Sequence, residues 1–200
     1  MDSYREEIRE QLMSLTDINK ILFATITCER LYPNYKYFQQ QVGWGNHEIL
    51  QEAIILLYQP VVSGGDVNIN EVNEAVSQVD MITPDTDEFP GITTSFALDA
   101  CTSIYSTLMF LLDRNIENIV DVATYARDTV DMFIQERDNM DYNNDPAFEL
   151  KISNDNLMIT EKNRQKVLVA KLRDFNGKKI TTADVDRLRE QRPIIDIDSL

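Results

Sequence analysis

Apolar residues recur every three or four positions along most of this chain, a spacing that predicts helices almost throughout. Ser3-Tyr4-Arg5-Glu6 reads as a capping box that opens a first short helix. After Thr16 and Asp17, the residues Ile18, Ile21, Leu22, Thr25 and Cys28 form one stripe. Pro33 suits the first position of a further helix and Gly43 its stop. Asn46 can cap the next, whose Ile49, Leu50, Ala53, Ile54 and Leu57 face a core. Ser63-Gly64-Gly65 then breaks the chain. A short acidic helix around Val72, Ala75 and Val79 starts at Asn70 or its neighbours.

The loop Thr83 to Gly91, with two prolines and three acids, leads into the longest apolar segment. Phe96, Ala97, Ala100, Cys101, Ile104, Leu108 and Leu111 line one face of it. Ile119, Val120, Ala123, Ala126, Val130 and Phe133 repeat the pattern just beyond Arg114 and Asn115. Segments 92–114 and 116–138, joined so tightly, predict an antiparallel helical hairpin. Strict alternation survives only in Ala147–Ile152 and Ile194–Ile197, both short for strands. Asn154 to Asp174 reads as one helix patterned through Leu157, Ile159, Val167, Val169, Ala170 and Leu172. Thr182 caps a last helix, Ala183 to Gln191, which Arg192-Pro193 ends. The expected fold is all-α: one domain over 1–200, a compact bundle of seven to nine helices. A long central antiparallel pair forms its spine, and 146–200 is a basic C-terminal helical extension.

Charge changes this picture in one respect. The net charge of −15 divides unevenly: residues 1–150 hold 26 acids and 8 bases, residues 151–200 hold 8 acids and 11 bases. An acidic body lacks the continuous basic surface that phosphate contact needs, so no nucleic acid is expected as partner. The basic run from Lys162 to Arg192 suits docking on the acidic body of its own or a neighbouring chain. Cys28 and Cys101 lie far apart on apolar stripes and read as reduced core thiols. The start of the chain has no basic and apolar leader pattern, and no apolar run reads as a membrane span. A cytoplasmic location follows as the expectation.

Two segments carry a resemblance. Phe23-Ala24-Thr25-Ile26-Thr27-Cys28-Glu29-Arg30-Leu31-Tyr32-Pro33-Asn34-Tyr35, continuing to Phe38, Gln40, Gly43 and Gly45, resembles a "CER-YPNY" segment. Ala97-Leu98-Asp99-Ala100-Cys101-Thr102 resembles an "A-DAC" segment. Both belong to the domain of unknown function 416 (YjaG-like) bacterial family. The likeness is close over about 18–60 and 88–138 and fades beyond about 150, where the basic end departs from the family's pattern. It implies a helical fold and brings no reaction, cofactor, partner or functional residue with it.

The residues themselves offer two polar constellations. Glu29, Arg30, Tyr32, Asn34 and Tyr35 cluster where a helix break is expected. They read as a polar knot, with Asn34 and the tyrosines satisfying free backbone groups and Arg30 or the long helix partnering Glu29. The sharper alternative is a small pocket of Glu29, Tyr32, Tyr35 and Asp99. Ser95, Asp99, Thr102, Ser103 and Ser106 share a second face, suited to close helix packing, to a homodimer contact or to a ligand groove. If the segments face each other, Glu29 and Asp99 would form a carboxylate pair able to do acid–base work. Trp44, between Gly43 and Gly45, pins its loop to the core or contacts a partner.

No metal or cofactor is expected: His47 is the sole histidine, and no HExxH, calcium loop, GxSxG or phosphate-binding glycine loop occurs. The reading is therefore a non-catalytic binding or regulatory module for a protein partner with a basic surface, or one that self-associates. A small-molecule-binding protein or enzyme with a pocket around Glu29 and Asp99 is the alternative.

Overall fold

The computed structural model describes residues 3–64, 67–189 and 192–199. Among them are nine α-helices and no strand: α1 (Ser3–Met13), α2 (Asp17–Val42), α3 (His47–Ser63), α4 (Ile69–Met81), α5 (Ile92–Asp113), α6 (Ile116–Arg137), α7 (Phe148–Asn154), α8 (Asn156–Arg173) and α9 (Thr182–Leu188). A 3-10 turn, Ile197–Ser199, follows. The spine has three helices: α5 lies between α2 and α6, packing along both. Helix α3 flanks α2, α4 crosses α5 and α3, and α1 and α8 close the α6 side.

The hairpin of α5 and α6 forms as its periodicity demands. Every residue assigned to the two stripes is buried. Arg114 turns the chain in the left-handed conformation, and the Asn115 side chain accepts from the Glu117 N–H to start α6. Helix α5 is long and apolar enough to cross a membrane on length and composition, which corrects the expectation that no run qualifies. Two-thirds of that stretch is buried inside the bundle, as befits a core helix.

The structure differs from the sequence expectations where local signals meet tertiary packing. Pro33 does not start a new helix; it sits inside the 26-residue α2. The lost hydrogen bond and ring clash cost about 3 kcal/mol. Burial of Leu31, Asn34, Tyr35 and Phe38 holds the helix on through that point. Gly43 does end α2, in the left-handed conformation, its N–H donating to the Gln39 carbonyl. Asn46 caps α3 through the Glu48 N–H. Helix α4 is capped by Asn68 rather than Asn70, and α9 by Thr181, in a capping box with Asp184. The expected helix 154–174 forms as α8, begun where Asp155 caps it, with the short α7 preceding it. Neither strand candidate forms: Phe148–Ile152 is helical, and Ile194 instead donates its N–H to the Arg30 carbonyl. That carbonyl lies in the turn before Pro33, so the tail is tied to the middle of α2. The expected end of the last helix, at Glu190 and Gln191, lies outside the described residues, as does Gly65 of the loop after α3.

Candidate functional site

Residues 29–35 cover almost two turns of α2, so successive side chains at about 100° intervals point to different neighbours. Glu29 turns to α3 and α9, Arg30 to α8 and the tail, Tyr32 to the start of α3, and Tyr35 to the end of α4. The segment is thus a hub in which each residue fixes a separate element.

Arg30 is buried and donates from Nη1 to Glu161 Oε2 at 2.7 Å and from Nε to the Arg192 carbonyl at 3.0 Å. Glu161, 3% exposed, also takes two bonds from Arg164 and one from Gln165 Nε2. Gln165 donates to the Ala123 carbonyl and accepts from the Tyr4 hydroxyl, so the network links α1, α2, α6 and α8. Burial alone would raise the Glu161 pKa, but the Arg164 and Arg30 guanidiniums outweigh it and hold the carboxyl below its usual range. The sequence reading missed this network. It placed Ile159, Val167 and Ala170 inward, yet all three are exposed; the inner face of α8 carries Glu161 and Gln165 among Met158, Leu168, Val169 and Leu172. An arginine three residues after an acid was its one legible sign.

Glu29 is not partnered by Arg30 or the long helix, as expected, but by Tyr58 and Arg189. The Tyr58 hydroxyl donates to Oε2 at 2.9 Å, Arg189 Nε donates to the same oxygen at 2.9 Å, and Arg189 Nη2 reaches Oε1. Arg189 also lies over the Tyr58 ring, 5.3 Å from its centroid. Beside this triad runs a cleft of about 570 Å³ between α2, α3 and α9, lined by Glu29, Tyr32, Lys36, Ile54, Ile55, Tyr58, Val62 and Val185. Tyr32 is held at its edge by a 2.8 Å hydrogen bond to His47 Nδ1.

Asp99 faces the other way. Its Oδ2 accepts from Thr129 Oγ1 of α6 at 2.7 Å. Burial, with Asp128 adding to it and the Thr129 hydroxyl opposing, pushes its pKa up to about 7. Glu29 and Asp99 therefore share no partner and no cleft, and the expected carboxylate pair does not form. The hydroxyl face of α5 is closed by its own chain: Ser103 and Ser106 are buried, Thr107 meets Cys28 at 3.4 Å, and Ser106 bonds Tyr125. Ser103 and Ser106 thus serve close packing inside the bundle, while Ser95 and Thr102 stay half-buried. Burial pushes the Cys28 and Cys101 thiols up to about 12, leaving both protonated. No three His, Cys, Asp or Glu side chains gather as a metal set among the described residues.

Asn34 does not satisfy the helix break. Its amide and the Ser103 hydroxyl are buried without a protein partner. Tyr35 donates to the Ile82 carbonyl at 2.8 Å and accepts from the Asn46 N–H. Trp44 stacks on Phe89, 5.0 Å between centroids, with Phe38 edge-on to both, and so ties loop 83–91 to the end of α2. The intervening Gly45 has φ +89°, and a Cβ there would overlap the Tyr35 hydroxyl and sit 3.1 Å from its Cζ. Gly45→Ala is expected to cost about 2–4 kcal/mol from overpacking and backbone strain. A thermal melt should show it as a midpoint lowered by roughly 5–15 °C.

A further feature emerges around α3. Between Lys36 and Arg114 the chain carries eleven Asp or Glu and not one Lys or Arg. Of these, Glu52, Glu71 and Glu74 flank a shallow groove of about 310 Å³ between α3 and α4, with Ala53, Leu56 and Ala75 in it. Glu48, Asp80, Asp85, Asp87 and Glu88 are also exposed. Helix α3 is a ridge between this acidic groove and the Glu29 cleft. By contrast, two cations of the basic end pair within the chain, Lys166 with Glu7 at 2.6 Å and Arg189 with Glu29.

These features define an all-helical protein with an acidic, two-grooved face and no recognisable catalytic constellation among its described residues. Residues 7–193 match the family described as protein of unknown function (DUF416), and the chain belongs to that family. It is 28% identical over 127 residues to the uncharacterized protein YjaG of Escherichia coli (strain K12), covering 62% of this chain and 63% of that relative. An uncharacterized protein of Haemophilus influenzae is 24% identical over 139 residues, covering 69% of this chain and 70% of the relative. The crystal structure of a DUF416 family protein from Shewanella baltica OS155 matches with a TM-score of 0.77 and 28% identity, over 90% of each chain.

Proposed function

We propose that this protein is a non-catalytic binding module that captures a basic protein partner on the α3–α4 face, in the cytoplasm. The observation that carries the reading is the 77-residue stretch from 37 to 113 without a base, which leaves Glu52, Glu71 and Glu74 exposed around one groove. A one-signed field over a concave apolar floor raises association rates with cationic partners and rejects acidic ones.

Affinity purification from cells at low salt is expected to recover a basic protein whose binding falls at least tenfold between 50 and 500 mM salt, about the loss screening of several charge pairs produces. Replacing Glu52, Glu71 and Glu74 together by Gln is expected to lower that recovery by a similar factor while leaving the thermal midpoint within about 3 °C, because surface changes cost little. Binding that ignores both salt and the triple variant would refute the reading.

A further inference from the structure

We propose that Glu29 and the Tyr58 ring form a seat for an arginine side chain of the partner, which Arg189 of the same chain fills in its absence. The proposal rests on the reading of α3 as a docking ridge and names what the partner brings to it. The present occupant displays the chemistry. Arg189 bonds Glu29 through two nitrogens and lies over the Tyr58 ring within cation–π distance, while the Tyr58 hydroxyl fixes the carboxylate. A planar fork meets all three demands and an ammonium does not, so the seat selects arginine over lysine.

Two observations indicate that Arg189 is a placeholder. Helix α9 has seven residues and buries only Val185 and Leu188, while buried Ile180 and Ile194 anchor the chain on either side, so release of Arg189 leaves those anchors in place. The adjoining cleft of about 570 Å³ stays open, with Ile55 56% and Val62 36% exposed on its α3 side. An arginine delivered by a partner replaces Arg189 charge for charge and bond for bond. The partner also covers Ile55 and Val62, which α9 does not, and that apolar burial tips the exchange. Tethering gives Arg189 an effective concentration in the millimolar range, so a free arginine competes poorly with it and a docked one competes well.

The test uses N-acetyl-arginine amide as probe, N-acetyl-lysine amide as control, and the full chain with NMR detection of the Tyr58 ring. Arg189→Ala is expected to bind the arginine probe at least tenfold more tightly than the wild type and tenfold more tightly than it binds the lysine probe. Adding Glu29→Gln should abolish the binding. Arg189→Lys, which keeps the charge but loses the fork, should fall between wild type and alanine variant, and it carries the test should the alanine variant not fold. Equal affinity in the wild type and both position-189 variants, or no preference for arginine, would overturn the seat. If the seat fails while partner capture still depends on Glu52, Glu71 and Glu74, the docking face stands; if the probe binds as stated but capture ignores those three, the docking face falls.

Discussion

Glu161→Ala is expected to destabilise the fold by about 3–5 kcal/mol, the cost of leaving buried charge without its partner. For a domain whose whole stability is about 5–15 kcal/mol this is a large share. The reason is the stoichiometry of the buried network. One carboxylate serves two guanidiniums, Arg30 with its side chain 8% exposed and Arg164 likewise 8% exposed. Without Glu161, Arg30 keeps the Arg192 carbonyl, but Arg164 loses both its bonds to the acid and Gln165 loses an acceptor. Urea denaturation should show a lower midpoint with an unchanged slope. Replacing Arg30 and Arg164 by Met together with Glu161 by Leu should recover much of the loss, since apolar residues of similar volume substitute well for buried ion sets. A Glu161→Ala protein as stable as the wild type would show that the charges are not what holds α8 to α2.

Asp99→Asn is expected to stabilise the protein by about 4 kcal/mol at pH 8 and by about 1–2 kcal/mol at pH 5, an advantage that vanishes below about pH 4. Its carboxyl, raised from 3.8 to about 7, binds a proton in the folded state across a range where the unfolded chain has lost it. The slope of stability with pH is therefore negative between about 4 and 7. The stability is fully present below the unfolded value and lost as pH rises through the folded one; at about 1.4 kcal/mol per pH unit, the rise from 3.8 to about 7 comes to about 4 kcal/mol. Asp128 and Tyr125 are the titratable neighbours, and Thr129 supplies the hydrogen bond that favours the charged form. Thr129→Val should accordingly cost more at pH 8 than at pH 5. Glu161 behaves oppositely: its lowered pKa contributes stability above about 4.5 that is lost as pH falls through the folded value. Unfolding curves for the wild type and Asp99→Asn at pH 5 and 8 decide the matter, and parallel pH profiles would contradict it.

The spine of the bundle was legible because its signals are local. In α5 and α6 the apolar period, the two-residue turn and the Asn115 cap agree, and nothing in the tertiary structure opposes them. Pro33 was misread because a proline within a well-packed helix gives the same local signal as one at a helix start. Only burial of the residues around it decides between them. Helix α8 was misread for the converse reason. Its inner face is polar at Glu161 and Gln165, so the period of its apolar residues points to the wrong side. The segment around Glu29 is distinctive in the sequence, but its residues diverge from one helix to separate partners. Convergence of side chains is a property of the packed bundle that one-dimensional spacing does not carry. The acidic face was present in the sequence as a run without bases and was obscured by summing charge over residues 1–150.

The most direct measurement is amide chemical-shift mapping of the protein titrated with a cationic amphipathic helical peptide containing arginine. Perturbations are expected along the α3 ridge at Gln51, Glu52, Ile55 and Tyr58 and across the groove at Glu71 and Glu74, with affinity falling steeply as salt rises. Perturbations confined to the α6–α8 side, or an affinity indifferent to salt, would contradict the account.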